Sequence, residues 1–564
     1  MNKRWVVGKK SEEEAIHSLS QSININTTLA SILVNRGVTD FDEAKAFFRP
    51  ELNHLHDPFL MLGMEKAVTR IEQAIEDREG ILLYGDYDVD GTTSVSMFYS
   101  FLKNHCAHLS YYIPDRYKEG YGLSDQGVEW ARENDFTLII TLDCGISANR
   151  LIDENPDLDF IICDHHKPGE KLPQAHAILN PKQKDCKYPY KELSGCGVAF
   201  KLIQAFSIRR NIEFEEIYSL LDFVVVSIAA DIVPITGENR TLAFFGLKVL
   251  NEGARVGIKA LIDVARAKGT LDISNIVFGL APRINAAGRI AHAHDAVKLL
   301  IADEIEEAEQ LAQDVQERND QRKNFDEVTT LEAIEMIEQD EALKSAKTTV
   351  LYRNDWHKGV IGIVASRCIE RYHRPTIIFT ESNNKATGSA RSVEGFDIYD
   401  AIASCSHLLS EFGGHKYAAG LTIDLDKIDD FQSHFESVVS ARIKDEQLIP
   451  SLNIDEIIEL DQITDKFVNV LGQMAPFGPG NMQPVFVSDN LFVEQSLRVL
   501  KGSHLKLKLG QDGCERKFEA IAFGQADHYS RLANGDAFSA AYTIEKNHYM
   551  GRTSLQLNIR DIRF

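Results

Sequence analysis

Along the chain the spacing of apolar and polar positions changes character several times, and each change predicts a different kind of element. From Gly80 to about Ile232, short apolar runs alternate with amphipathic stretches, the pattern of βαβ units around a parallel sheet. The clearest strands are ILLY (81–84), TLIITL (137–142) and DFIIC (159–163), and TTSVSMFYSFL from Thr92 reads as a helix. The first 75 or so residues read as short helices, among them DFDEAKAFFRP, which opens on an acidic cap and stops at Pro50. Between Ile301 and Ala346 the residues Ile305, Ala308, Leu311 and Val315 recur near helical spacing with no Gly or Pro, so a long solvated helix linking two lobes is expected. A second α/β unit follows from Thr348 to about Asp445, with strands TTVLY and PTIIFT around the helix IGIVASRCIERY. Beyond it, alternation such as HLKLKLG and SLQLNIRDIRF, broken by Gly-containing turns, predicts a small antiparallel barrel from Pro484 to Phe564. The fold class is therefore a multidomain α/β chain. Its expected parts are an N-terminal helical accessory segment (1–75), a parallel-sheet domain (76–300), the linking helix (301–346), the second α/β domain (347–447) and the barrel domain (448–564).

Composition agrees with several cores. The 564 residues exceed the roughly 250–300 that one hydrophobic core organises. Hydrophobic residues at 44% and charged residues at 26% match ordinary globular usage. The start MNKRWVVGKKSEEE has charge but no apolar stretch behind it, which argues against a signal or transit peptide. The longest apolar run, Leu220 to Ile235, contains Asp222 and Asp231 and falls short of a bilayer span, so a cytoplasmic protein without membrane contact is expected. Eight cysteines with no CxxC pair give neither a disulfide framework nor a zinc ribbon, and Cys144 and Cys163 read as buried thiols.

Charge first looks like an objection to a phosphate-binding role, because 61 Lys+Arg against 84 Asp+Glu leave −23. Its distribution removes the objection. The 301–346 segment holds 15 acidic and 4 basic residues, whereas Val485 to Phe564 holds 9 acidic and 11 basic.

The chemistry sits where apolar runs end. ILLY leads into GDYDVDGTT, where Asp86, Asp88 and Asp90 alternate and would face one side of an extended segment. Carboxylates packed so densely repel one another, and a divalent cation is the usual remedy. A solvated acidic turn competes for a lone DxD, and an EF-hand loop fails because its twelfth position is Met97 rather than Glu. TLIITL ends at Asp143, DFIIC ends at Asp164, His165 and His166, and a fourth apolar run, FVVVSIAA, delivers Asp231. Singly each Asp reads as a cap or turn former, but ligands in open α/β sheets bind beyond the carboxyl ends of strands, where such ends converge. Mixed Asp and His donors suit Mn²⁺ or Mg²⁺, and two such ions would support phosphoryl displacement by water.

GDYDVDG, LDCG, DHH and AADIVP, in that order, resemble the four motifs of the DHH phosphoesterase superfamily, and nearly the whole chain resembles its RecJ family of single-strand-specific exonucleases. The resemblance implies a DHH domain, a DHHA1 substrate-binding domain carrying FGGHKYAAG, and a C-terminal OB-fold. It implies Asp88, Asp90, Asp143, His165 and Asp231 as ligands of two Mn²⁺ or Mg²⁺ ions, with Asp86 and His166 as catalytic neighbours. By the residues alone, APRINAAGR (Arg283, Asn285, Arg289), GSARS (Ser389, Arg391) and FGGHKYAAG (Gly413, Gly414, His415) read as surface turns first and phosphate sites second. The family resemblance makes them substrate-binding, and adds Arg116 to Ser389 and Arg391 as a clamp on a 5′-terminal phosphate.

The implied activity is two-metal, 5′→3′ release of mononucleotides from single-stranded DNA in repair and recombination. A helicase and a single-strand-binding protein are the expected partners of a monomer. The competing readings are a small-substrate DHH phosphodiesterase acting on oligonucleotides or cyclic dinucleotides, and a non-catalytic single-strand-binding scaffold. In the barrel, Phe486, Phe492, Tyr542, His548 and Tyr549 are candidate stacking residues, though most suit a core better, with Lys506, Lys508, Arg516 and Lys517 for the backbone.

Overall fold

The run ILLY forms strand β1 (Gly80–Gly85), an interior strand of a wholly parallel five-stranded sheet. The other strands are β2 (Leu109–Tyr112), β3 (Phe136–Leu142), β4 (Asp159–Cys163) and β5 (Ala177–Leu179), and the spatial order is β2-β1-β3-β4-β5. Continuous apolar runs are needed because both faces of the sheet are covered. Alternate side chains of β1 feed different cores: Ile81 and Leu83 pack into one, Leu82 and Tyr84 into the other. The computed structural model describes residues 3–8, 12–549 and 552–564, leaving out the side chains of 548, 549, 552 and 553.

Three helices on one face complete the site's scaffold: α1 (Val89–Leu102), α2 (Gly195–Arg210) and α3 (Leu221–Ala230). The run FVVVSIAA, grouped by composition with the strands, is thus a helix. It is apolar nearly all round because it is buried all round, with eight successive residues from Leu221 to Ile228 inaccessible. The segment APRINAAGR is also helical, as α4 (Ala281–Ile290), rather than a surface turn.

The expected linking helix is α5 (Ile305–Gln339), 35 residues and so about 52 Å long. It serves two cores. Ala308, Ala312 and Val315 pack with the parallel-sheet domain, while Ala333 and Ile337 pack against the second lobe.

That second lobe holds β6 (Thr349–Tyr352), α6 (Ile361–Tyr372), β7 (Thr376–Ser382), β8 (Lys385–Arg391), β9 (Leu409–His415) and β10 (Ala418–Ile423). The sheet order is β9-β10-β8-β7-β6, with only β6 and β7 parallel. GSARS and FGGHKYAAG therefore lie in strands and a hairpin, where their alternation fixes which side chains share a face.

Residues 52–448 form one compact unit, and residues 1–51 join 449–564 in another. The expected accessory segment 1–75 is divided between them. Arg4–Val7 pairs in parallel with Ser451–Ile454, and Leu29, Ile32 and Leu33 share a core with Phe467, Phe486 and Tyr542. The second half instead supplies Met64–Glu76, whose buried Val68 and Ile71 cover the parallel sheet. The barrel closes through β11 (Phe486–Leu500), β12 (His504–Gln511), β13 (Phe518–Ala522), β14 (Phe538–Tyr549) and β15 (Arg552–Arg563). β11 pairs with both β12 and β14, and β13 pairs with β15 in parallel, one departure from the antiparallel expectation. Among the described residues no helix is long and apolar enough to cross a membrane.

Candidate functional site

Strand β1 lies between β2 and β3, so the chain leaves it in opposite directions and opens a crevice at the carboxyl ends. Asp86 follows β1 and Asp143 follows β3. Asp164, His165 and His166 follow β4. Asp143 is held in the left-handed region at φ 64° and Gly145 at φ 105°, a tight turn closed by the Thr141 hydroxyl donating to the Cys144 carbonyl at 2.8 Å. The carboxylate therefore faces the crevice rather than continuing the strand.

The three aspartates after β1 do not line one extended edge. Asp88 is the N-cap of α1, accepting the Gly91 N–H at 3.0 Å, so helix begins at Val89 and Asp90 sits in its first turn. Asp90 is anchored from the opposite side. It accepts the Gly195 and Cys196 N–H groups at 2.7 and 2.8 Å, at the amino end of α2, and the Ser227 hydroxyl of α3 at 2.6 Å. Asp231 caps the carboxyl end of α3.

These elements converge on His165. Its Nε2 lies 3.2 Å from Asp143 Oδ1, 3.5 Å from Asp231 Oδ2 and 3.8 Å from Asp90 Oδ2. Two triplets, Asp90 with His165 and Asp231, and Asp143 with His165 and His166, each place their donor atoms within 4.8 Å of one another. Asp86 Oδ1, Asp143 Oδ1 and His165 Nδ1 are buried without a hydrogen-bond partner. Buried polar atoms rarely go unsatisfied, and two clustered triplets of carboxylate and imidazole donors fit hard divalent cations such as Mn²⁺ or Mg²⁺.

Electrostatics agrees with the geometry. Burial, then the neighbouring Asp88, pushes Asp86 well above the usual carboxylate range. Burial and Asp90 do the same to Asp88 and, more strongly, to Asp143. Asp231 rises to about 8 through burial, Asp90 and Asp88. Burial also lowers His165, keeping the imidazole neutral and able to ligate. Such mutual repulsion is what a bound cation relieves.

Asp164 plays a part that alternation alone did not assign. It is buried and accepts the Ile146 N–H at 2.9 Å and the His166 N–H at 3.0 Å, and its Oδ1 is 2.8 Å from His166 Nδ1. Burial opposes charge on His166, but the Asp164 contact outweighs it and raises the imidazole to about 9. His166 is thus a protonated, oriented group on the open side of the cluster, with 38% of its side chain exposed. The signal was the dense DHH triplet itself.

A cationic pocket adjoins the acidic one. Arg116 stacks over the Tyr87 ring at 4.8 Å, between Asp86 and Asp88 in sequence. Arg289 donates to the Gly359 carbonyl at 3.1 Å, and the Tyr117 hydroxyl donates to the Arg289 carbonyl. Arg391 donates to Ser389 Oγ at 3.1 Å. Burial lowers Arg289 to about 10, with Arg116 and Arg391 adding repulsion, and Arg391 is lowered by burial and Arg116. Arg116 is within reach of Asp86, but the mutual repulsion of Arg289, Arg116 and Arg391 is what a bound anion would relieve. Gly413 and Gly420 share a cross-strand row with Ser389, and His415 and Ala418 share the next row with Arg391, so the hairpin extends the same face. Gly413, Gly414 and His415 are exposed there. Arg283 does not join them: it is buried against α5, donating to Gln316 Oε1 at 2.7 Å and to the Gly279 carbonyl. Asn285 is half-buried on α4.

In the barrel, Phe486 and Tyr542 are core residues, and Phe492 is half-buried beneath the Lys517 ammonium at 4.8 Å. Lys506 and Lys508 alternate with buried leucines, so their side chains leave the barrel. Arg516 is committed to the Ile463 carbonyl at 2.8 Å, and His548 and Tyr549 lie outside the described side chains.

Three family models match the chain: the DHH family N-terminal domain over residues 80–228, the DHHA1 domain over 345–441 and the RecJ OB domain over 454–561. Over 564 residues the chain is 36% identical to the single-stranded-DNA-specific exonuclease RecJ of Bacillus subtilis strain 168, covering 99% of this chain and 70% of that protein. It is 34% identical to the Escherichia coli K12 protein of the same name over 565 residues, covering 95% of each. The chain belongs to the RecJ family. Crystal structures of RecJ from Thermus thermophilus superpose on the whole chain and on 79% and 78% of those chains. The Mn²⁺ complex does so with a TM-score of 0.85 at 26% identity, and the Mg²⁺ complex with 0.80 at 25%. Those two ions are the pair that the donor set here favours.

Proposed function

We propose that this chain is a 5′→3′ exonuclease specific for single-stranded DNA, releasing mononucleotides during repair and recombination. One observation carries the reading: a buried carboxylate and histidine cluster with open donor atoms directly adjoins a pocket of Arg116, Arg289 and Arg391. The names borne by its relatives supply the substrate class. Asp88, Asp90, Asp143, His165 and Asp231 would hold two divalent ions, which when bound make water nucleophilic near neutral pH and offset charge on the scissile phosphate.

The chain's own residues supply the rest. Asp90 is fixed by two backbone N–H groups and Ser227, so it cannot swing away when the cluster is charged. Asp86, whose carboxyl is pushed up by burial and Asp88, lies beside the cluster where it can exchange a proton with the reacting groups. His166, oriented by Asp164, presents a charged N–H on the open side, suited to stabilising charge on the phosphate or to passing a proton to the leaving oxygen. Arg116, Arg391 and Ser389 receive a terminal 5′ phosphate, which sets polarity because only that end reaches the cluster.

The small-substrate reading leaves the barrel and its outward lysines without a role. A scaffold without catalysis leaves the intact carboxylates without one. A pocket that admits one unpaired end implies that a helicase opens the duplex and a single-strand-binding protein keeps it open. The same reading has the chain acting as a monomer in the cytoplasm. The test separates chemistry from binding: Asp143→Ala abolishes cleavage and leaves strand binding within about threefold, while equal loss of both refutes the division of roles.

A further inference from the structure

An aromatic pair beside the arginine pocket belongs neither to the metal cluster nor to the phosphate contacts. Phe325, on α5, stacks on His357 with ring centroids 4.8 Å apart and planes inclined by 15°. Phe325 is nevertheless 43% exposed in the middle of a helix, and Val328 and Leu331, three and six residues on, are exposed too. His357 is wired into the pocket. The Gly359 N–H donates to its Nδ1 at 3.0 Å, and the Gly359 carbonyl accepts from Arg289. A Cβ at Gly359 would lie 2.6 Å from the Arg289 carbonyl oxygen, 2.7 Å from Tyr117 Oη and 3.0 Å from His357 Cε1, so all three close around this glycine. Between them Lys358 lies over the Tyr117 ring at 5.6 Å. One turn before Phe325, Arg322 adds to the repulsion on Arg289, and its Nε is buried without a partner.

An exposed ring backed by a second ring, one glycine away from a cationic pocket, matches what a nucleotide presents: an anion next to a flat apolar face. We infer that Phe325, supported by His357, is a nucleobase-stacking subsite that holds an unpaired base near the 5′ end while the arginines hold its phosphate. The inference rests on the single-strand nuclease reading and deepens it. Stacking on an aromatic side chain tolerates every base, since all four have a π face. It also disfavours an internal base of a duplex, whose two faces are both covered by its neighbours. His357 accepts a backbone N–H and burial lowers its pKa, so the supporting ring stays neutral and flat against Phe325.

The experiment measures equilibrium binding and turnover on 5′-phosphorylated strands that carry a single abasic residue at each of the first several positions in turn. Base stacking is lost about 5- to 150-fold on truncation to alanine. Phe325→Ala is expected to weaken binding and raise KM within that range on intact strands, with kcat moved much less, and Phe325→Trp to retain binding. One abasic position should cost the unaltered protein the same factor and cost Phe325→Ala nothing further. 2-Aminopurine at that position should be quenched on binding to the unaltered protein but not to Phe325→Ala. Equal penalties of Phe325→Ala on every abasic strand, or no penalty on intact ones, overturn the inference. A strand that is bound but never shortened by the unaltered protein sinks the nuclease reading instead, while the binding arm still reads the stack.

Discussion

Removing divalent cations should destabilise this protein increasingly as pH rises, and the size of the effect follows from the acidic cluster. Asp231 moves from an ordinary carboxyl value of 3.8 to about 8 in the folded chain, and Asp86, Asp88 and Asp143 move the same way. A group that binds its proton more tightly when folded stabilises the fold at low pH and loses that contribution as pH rises through the folded value. Each unit is 1.36 kcal/mol, so between about pH 6.5 and 8.5 Asp231 alone costs about 2 kcal/mol. At about 1 °C per kcal/mol for a compact unit of about 400 residues, the chelated protein's Tm falls by about 2–3 °C over that range. His165, lowered by burial, acts oppositely only when pH falls below its ordinary 6.5. His166, raised to about 9 by Asp164 against the effect of burial, loses stability over the same window with or without the ions, so the difference between the Mn²⁺ and chelator curves, not the slope in chelator alone, reads the carboxylates. The assay is thermal unfolding in Mn²⁺ and in chelator at about pH 6.5 and 8.5. The Mn²⁺-dependent gain in Tm should be larger at the higher pH. A gain that is equal at both, or larger at the lower, refutes the claim that like-charge repulsion in the cluster is what the ions relieve.

Two substitutions probe the site directly. Arg391→Ala removes a buried charge-assisted contact worth about 1.5–3 kcal/mol, so the preference for 5′-phosphate over 5′-hydroxyl ends should fall about 10- to 150-fold, measured as kcat/KM on paired strands; an unchanged ratio places the end pocket elsewhere. Gly195→Ala would put a Cβ 2.5 Å from Asp143 Oδ1 and 2.6 Å from its Cβ, forcing that residue or α2 to move, so kcat should drop about 100-fold, with overpacking costing about 1–3 kcal/mol of stability.

Which parts of this were legible in the sequence follows from how local each signal is. The strands ILLY, TLIITL and DFIIC were readable because a sheet covered on both faces demands unbroken apolar runs, and the carboxyl-end rule then placed Asp143 and His165 together, with Asp86 at the same end of the sheet. Alternation misled at Asp88 and Asp90, since a capping carboxylate started α1 earlier than Thr92. FVVVSIAA misled because total burial erases helical periodicity. PRINAAGR carries small residues for close helix packing: at Gly288 a Cβ would meet the Tyr87 carbonyl oxygen at 2.8 Å. The pairing of Arg4–Val7 with Ser451–Ile454 bridges more than 400 positions, and no local pattern encodes that partnership. Nor does any pattern separate Arg283, which braces α5, from Arg289, which faces the pocket, though both lie on α4.

The most direct test of the central claim is the order in which nucleotides leave a strand. With Mn²⁺ present, the 5′-labelled single strand should yield labelled mononucleotide from the first turnover. The 3′-labelled strand should shorten through a ladder, and blunt duplex should remain intact. Labelled mononucleotide appearing first from the 3′-labelled strand, or duplex degraded as fast as single strand, would contradict the account.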